Sequence, residues 1–431
     1  MVVLGAVIGA GFASGKEIVS FFGQYGYWSL PIMALVGGLF FFFFFVFAKL
    51  GKMLKPKSIS DMTTAMFGKF GIIVDFGFII SSFITLSSMI AGCDSVGSLV
   101  FKESYNFCYI SIFTVMIVAV VVIVGLKYIY KITNLIIPTI IVFIVGILIA
   151  YACTTTPEQV SSTHINFNFP SLFLYGILYV SMNTFTNIFI ISKSSEYMDK
   201  KQIGIASSVS SSIIVLLVTL ILLSVLRGGD SIFLSDMPMI SIAYSVGGAV
   251  GIIYSIILWL AIFTTICVAT YSIVEWLNKF IKNKFLCTVI VLSLGFVFSR
   301  FGFSTIVDIF YPIEGIFGGI FIVYSIIYYF KNKHGYEVKE RAIIENHKLM
   351  QSKAFFEFDK QNQPNYEITP EKVETHNFNH AKSKSKIQKG ESDEIYSLKI
   401  ENNKKHKVIT KKKRNGEIIK EIKTKEQKNS T

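Results

Sequence analysis

Gly5, Gly9, Gly11 and Gly15 punctuate the first apolar stretch of the chain, and each costs a helix about 1 kcal/mol relative to alanine. So dense a set predicts a break in the helix, with amides and carbonyls released in lipid, where unwound backbone serves as a ligand or ion site. Residues 179–187 (YVSMNTFTN) put a polar run in a second apolar stretch and predict a second break. Amides around Ala10, Gly11, Phe12 and Ala13, at the start of the half-helix after the first break, suit a carboxylate through the helix dipole. Ser14 with Ser181, Asn183, Thr184 and Asn187 would complete a polar cavity for a small polar solute such as an amino acid. The competing reading is packing: Gly5-xxx-Gly9 and Gly11-xxx-Gly15 fit small-residue helix contacts, and the polar side chains fit interhelical hydrogen bonds.

Charges inside apolar spans are expensive and invite functional readings. Glu314, two residues after Pro312, is the strongest candidate: a desolvated glutamate can bind and release a proton, though it can also serve as a structural partner to Lys16. Lys16 and Glu17 follow the first break and can pair locally or across a bundle. Asp94 lies near an outer span end and is read as facing an entry vestibule; Asp75 is read as interfacial, Asp308 and Glu275 as solvated. No HExxH, Walker loop or nucleophile elbow occurs, so the chain is read as a non-enzyme without a nucleotide-driven step. The five cysteines form no CxxC pair, which argues for packing residues rather than a metal or disulfide framework.

The elements that must position these groups follow from composition. The 431 residues are 52% hydrophobic and 16% charged, against roughly 25% charged in soluble domains. A water-soluble enzyme is excluded by that balance, and a polytopic membrane protein is expected. Ten apolar segments are legible, at about 2–23, 29–50, 70–100, 107–126, 132–153, 169–191, 203–226, 238–277, 285–299 and 305–330, each necessarily helical. Connections after spans 2, 4, 6 and 8 carry 13 lysines, whereas the odd ones carry only Lys102, Arg227 and Arg300. The positive-inside rule then places both termini in the cytoplasm. In residues 40–45 six consecutive phenylalanines point all round a helix, so most are expected to meet lipid.

The spans read as two sets of five, residues 1–153 and 169–330. Spans 3 and 8 are both long, and Pro138 and Pro312 sit at matching places in spans 5 and 10. Five is odd, so the second set enters from the opposite side and the repeat is inverted. Broken helices at matching positions of such a repeat, here spans 1 and 6, point to a transporter's midplane site.

The segment GAVIGAGFASGKE (residues 5–17), followed by FFG (21–23), resembles the opening of the YkvI family of bacterial membrane proteins. That family is related to the amino acid–polyamine–organocation superfamily, whose members share the inverted repeat of the sodium-coupled leucine transporter. The resemblance covers residues 1–330. It implies an all-α polytopic fold in the bacterial inner membrane and an ion-coupled carrier driven by sodium or protons. It also implies a sodium site between spans 1 and 8, formed by the carbonyls of Gly5, Ile8 and Ala261 and the hydroxyls of Thr264 and Thr265. Consecutive threonines in a helix also bond back to the preceding turn. No cofactor is implied beyond that ion. Only eight residues precede the proposed break, roughly 12 Å of helix, so either more chain precedes Met1 or the first half-helix is clipped.

Residues 331–431 hold 24 of the 41 basic residues and are expected to be largely disordered. Basic clusters at 404–407 and 411–414 suit anionic lipid, with a hairpin turn at Arg414-Asn-Gly-Glu417, and a plain solvated extension is the leading reading of the tail. Interleaved acidic residues and few aromatics argue against nucleic acid. The rival to a carrier is a ligand-sensing receptor on the same fold, like the permease-like subunits of spore germinant receptors. A channel is disfavoured, for want of a charged ring or a filter-like repeat.

Overall fold

The computed structural model describes residues 4, 7–361, 392–401, 404–413 and 418–428, apart from 57, 102–107, 126–128, 159 and 197; side chains are described up to 335, excluding 129–134. The chain divides into two compact units, Met1–Tyr329 and Phe330–Thr431.

The first unit is helical. Span 1 comprises the short helices α1 (Ala10–Ser14) and α2 (Lys16–Phe22), and span 2 is α3 (Ile32–Leu54). After the connecting α4 (Ile59–Phe67) come α5 (Gly71–Phe101), α6 (Tyr109–Val124) and α7 (Ile129–Thr154), then α8 (Phe169–Ser194) and α9 (Lys200–Leu226). Two short helices, α10 (Gly229–Phe233) and α11 (Pro238–Val246), lead into α12 (Gly248–Ile281), α13 (Lys284–Ser299) and α14 (Phe303–Gln361). Among the described residues, seven helices are long and apolar enough to cross a membrane; α6 and α13 are shorter apolar helices. With the segmented first span they match the ten apolar segments in place along the chain.

Three expectations about these spans are corrected. Span 8 is two helices, because Gly247 turns the chain between α11 and α12 at φ 171°, ψ 145°. Span 6 is not broken: α8 runs from Phe169 to Ser194 without interruption. Its polar residues bond back along the helix, Asn183 Nδ2 donating to Tyr179 O at 3.1 Å, Thr186 Oγ1 to Met182 O at 3.1 Å and Asn187 Nδ2 to Asn183 O at 2.9 Å. Most of the polyphenylalanine run does not face outward: Phe40, Phe43 and Phe44 are buried in the core, Phe45 is half-buried, and Phe41 and Phe42 are exposed.

Helix α8 is gripped by bare backbone on two sides. A methyl on Gly51 of α3 would lie inside the Ser192 carbonyl. On α14, a methyl on Gly315 would come within 2.7 Å of Leu178 O, and one on Gly318 within 2.8 Å of Ser181 O. Hydroxyls fasten the first seam: Ser192 Oγ donates to Phe47 O at 3.2 Å and Ser195 Oγ to Ala48 O at 2.7 Å. These contacts fix α8 as a wall against which span 1 rests.

On the lysine-poor face, Asp230 ties α10 to the connection before α8. Its carboxylate accepts from Ser161 N at 2.8 Å and from Ser161 Oγ, with His164 4.0 Å away. Those hydrogen bonds hold the carboxyl below the usual carboxylate range. A depressed folded-state value contributes stability above the ordinary aspartate value of about 4 and loses it as pH falls through the lowered value. Asp230→Asn should therefore lower the thermal midpoint at neutral pH and leave it unchanged in strong acid. An equal loss at every pH in a melting series would count against the charge.

The second unit continues α14 and carries strands β1 (Ser392–Glu401), β2 (Lys404–Lys413) and β3 (Ile418–Lys428), paired antiparallel in the order β1-β2-β3. Ser397 faces Val408, which faces Lys423 on the other side. The all-α fold expected of the chain is that of the first unit; in the second unit, Ile, Val, Thr and Tyr among charged residues suit strands. The turn expected at 414–417 lies outside the described residues.

Candidate functional site

The glycine-rich start of the chain is interrupted twice. Ile8 N donates to Leu4 O at 2.8 Å, but Gly9 N donates to Val7 O, so the regular ladder stops there and restarts with Ala13 N to Gly9 O at 3.0 Å. The amides of Ala10, Gly11 and Phe12 precede that first donor of α1, the position at which helix amides lack intrahelical partners. The second interruption is Gly15, at φ +79°, a conformation that glycine adopts without a Cβ penalty. Ser14 spans it, its Oγ donating to Gly11 O at 2.6 Å and accepting from Lys16 N at 3.1 Å. Tyr254 of α12 anchors the segment by donating its hydroxyl to Ala13 O at 2.6 Å.

All five predicted α1 residues, Ala10, Gly11, Phe12, Ala13 and Ser14, are buried. Ala13 is the exception among the proposed amide donors, because its N–H is taken by Gly9. Of the α8 residues predicted for the site, Asn183 reaches span 1 through Glu17: its Nδ2 donates to Glu17 Oε1 at 2.9 Å. Ser181 lies on the α14 side, with Gly318 and Gly319 against it. Thr184 is fully buried with an unpartnered hydroxyl among the described residues. Asn187, one turn on, bonds to Asn183 O and Thr186 Oγ1.

Among the predicted ion ligands, Gly5 lies outside the described residues, and Ile8 sits buried at the first break. Thr264 and Thr265 both donate to Ala261 O at 2.9 Å, the back-bonded arrangement. Their hydroxyl oxygens keep acceptor lone pairs, whereas the Ala261 carbonyl is doubly engaged.

Glu314 is buried on α14, as a candidate coupling residue should be. Its partner is not Lys16 but Ser81 of α5, whose hydroxyl donates to Oε1. Lys16 instead pairs with Asp308 of α14 at 3.4 Å, so Asp308, read as solvated, is half exposed and ion-paired. Asp94, read as facing a vestibule, is bound by Arg300 at 2.8 Å and Ser111 N at 3.0 Å. Asp75 accepts from Thr63 at 2.6 Å.

Glu17, read as pairing locally or across the bundle, completes the centre with Tyr311 and Tyr179, which the sequence left without a role. Glu17 Oε2 lies 2.9 Å from where a Cβ on Gly11 would stand, with Met89 Cε at 3.7 Å and Tyr311 Oη at 3.8 Å from the same point. Tyr311 Oη lies 2.9 Å from Ser88 Oγ, which already donates to Thr85 O, so the tyrosine is the donor. Tyr179 packs its ring edge-on to Phe21 and Phe22, and its buried hydroxyl has no partner among the described residues. The one signal for Glu17 was a carboxylate within an apolar span; Tyr311 had only its place beside Pro312. The arrangement gathers acceptors and the first amides of α1 where α1 and α2 meet α5, α8, α12 and α14.

No protein-family model matches the chain. It is 23% identical over 322 residues to YkvI, an uncharacterized membrane protein of Bacillus subtilis (strain 168), covering 73% of this chain and 90% of the relative. It is 25% identical over 336 residues to the uncharacterized protein YyaD of the same organism, covering 76% and 95%. Among solved structures it superposes on MhsT, crystallised in complex with L-phenylalanine, with a TM-score of 0.56 at 12% identity, over 74% of this chain and 86% of that one. The resemblance to YkvI read from residues 5–17 is borne out, and the fold of the first unit is that of the leucine-transporter-like membrane proteins.

Proposed function

We propose that this chain is a secondary transporter, an ion-coupled carrier of a small polar organic solute such as an amino acid, set in the bacterial cell membrane with both termini cytoplasmic. The observation that carries the reading is the doubly interrupted first span, whose α1 main chain lies beside Asn183, Tyr311 and Glu17 in mid-bundle. In this reading the amides of Ala10, Gly11 and Phe12 receive the solute's carboxylate, and Asn183 and Thr184 help to enclose it. The fold shared with MhsT, a protein that binds L-phenylalanine, supports an amino acid as the type of cargo. Lysines in the even connections support the orientation, and the basic tail is drawn to anionic lipid headgroups.

Sodium, where it is the coupling ion, binds between the first break and α12, at Ile8, Gly5, Ala261, Thr264 and Thr265. Binding there requires the two hydroxyls to turn their hydrogens off Ala261 O. Proteoliposomes carrying the protein should accumulate labelled solute under a sodium or proton gradient. Thr264→Ala combined with Thr265→Ala should abolish any sodium dependence of solute binding in a thermal-shift titration. Unchanged dependence removes this ion site.

A second reading, a ligand-sensing receptor that retains the fold, is favoured by the unbroken α8, which lacks the released backbone expected of the sixth span. Saturable binding without accumulation in the same vesicles would decide for it.

A further inference from the structure

Glu17 and Glu314 are both buried, and neither forms an ion pair with a lysine, arginine or histidine among the described residues. Lys16, adjacent in sequence, is committed to Asp308. Glu17 Oε1 is held by Asn183, whereas Oε2 carries no hydrogen bond among the described residues and faces the bare Gly11. Tyr311 Oη, having donated to Ser88, offers its lone pairs beside the same point. Tyr179, one turn before Asn183 on the same face of α8, brings a fully buried hydroxyl with no partner to the Glu17 side. A buried carboxyl held by one neutral amide is either protonated or joined by a positive group.

We infer that Glu17, with Tyr311 beside Gly11 and Tyr179 one helical turn before Asn183, is the binding site for the protonated amine of the solute. The inference rests on the carrier reading only in taking the occupant for a small solute; it concerns recognition and holds for a receptor as well. An ammonium supplies three donors: one for Oε2 of Glu17, one for the Tyr311 oxygen and one for the Tyr179 oxygen. Two sources share that chemistry, the α-ammonium of an amino acid and a plain organic amine.

The test uses the full chain in detergent, with L-alanine, L-leucine and L-phenylalanine as probes. Alongside them go their N-acetyl derivatives, their α-hydroxy acids and the corresponding decarboxylated amines, followed by thermal shift and calorimetry. Amine-bearing probes should bind, and the acetylated and hydroxy compounds should not. Binding by the decarboxylated amines as well marks a plain amine as the cargo; their failure beside bound amino acids marks the zwitterion. Glu17→Gln should weaken binding roughly 10- to 100-fold. Because a buried substitution can impair folding, Tyr179→Phe, which removes an unpartnered hydroxyl and keeps the ring, should weaken it several-fold at unchanged melting temperature, and Tyr311→Phe should weaken it several-fold while also losing the bond to Ser88. Hydroxy acids that bind as tightly as the amino acids, Glu17→Gln with unaltered affinity, or a wild type stabilised by no amine would each overturn the assignment. Vesicle uptake is read separately: amine binding without flux refutes the carrier and leaves this site standing.

Discussion

Gly51→Ala should destabilise the membrane body by about 1–3 kcal/mol or more, the range for a methyl forced into a filled contact. The added methyl would overlap the Ser192 carbonyl, which is main chain and has no rotamer by which to withdraw. Either α3 and α8 part, breaking the Ser192–Phe47 and Ser195–Ala48 bonds, or α3 bends. The matched control is Gly38→Ala on the same helix, where nothing stands within 4 Å; there the substitution should be neutral or gain up to about 1 kcal/mol from helix propensity. Thermal melting of both variants in detergent, with size-exclusion recovery, reads the contrast. Equal midpoints for the two would show that the α3–α8 seam is not closed by backbone contact.

Glu314→Gln should remove the pH dependence of solute uptake. The carboxyl is buried where α14 faces α5, bonded to Ser81 and without a cationic neighbour among the described residues. A group so placed takes up a proton when desolvated and gives it back when the site opens to water. Glutamine keeps the shape and a carbonyl acceptor for Ser81 but cannot exchange a proton, so initial rates measured across pH in proteoliposomes should become flat. Folding is checked by melting, and Ser81→Ala, which leaves the carboxyl in place, should shift the profile without abolishing it. A wild-type profile in Glu314→Gln would make the residue a packing partner for α5 and nothing more.

Several features were readable without coordinates, and the reasons differ. Glycine density foretold the interrupted first span because a flexible backbone is a local property, written where it acts. Apolar length located the long helices for the same reason. The sixth span misled because polar residues were taken as a sign of unwinding. The run 179–187 contains neither glycine nor proline, and asparagine and threonine can satisfy themselves on the preceding turn without leaving the helix. The division of span 8 was marked by the Gly247–Gly248 pair, which hydropathy alone passes over. Partner choice was the least legible. Glu17 meets Asn183 across 166 residues of chain, and Lys16 chose Asp308 over Glu314, outcomes set by how the helices pack.

The continuity of α8 has a consequence for how ligand choice can change. An intact helix spends its main chain on itself, so this wall addresses a guest only through side chains such as Asn183, Tyr179 and Thr184. Across from it, α1 offers peptide groups, which no codon change can swap. Selectivity should thus be adjustable from one flank only: libraries randomised on α8 would shift preference among guests, whereas those randomised over residues 9–15 would mostly yield inert protein.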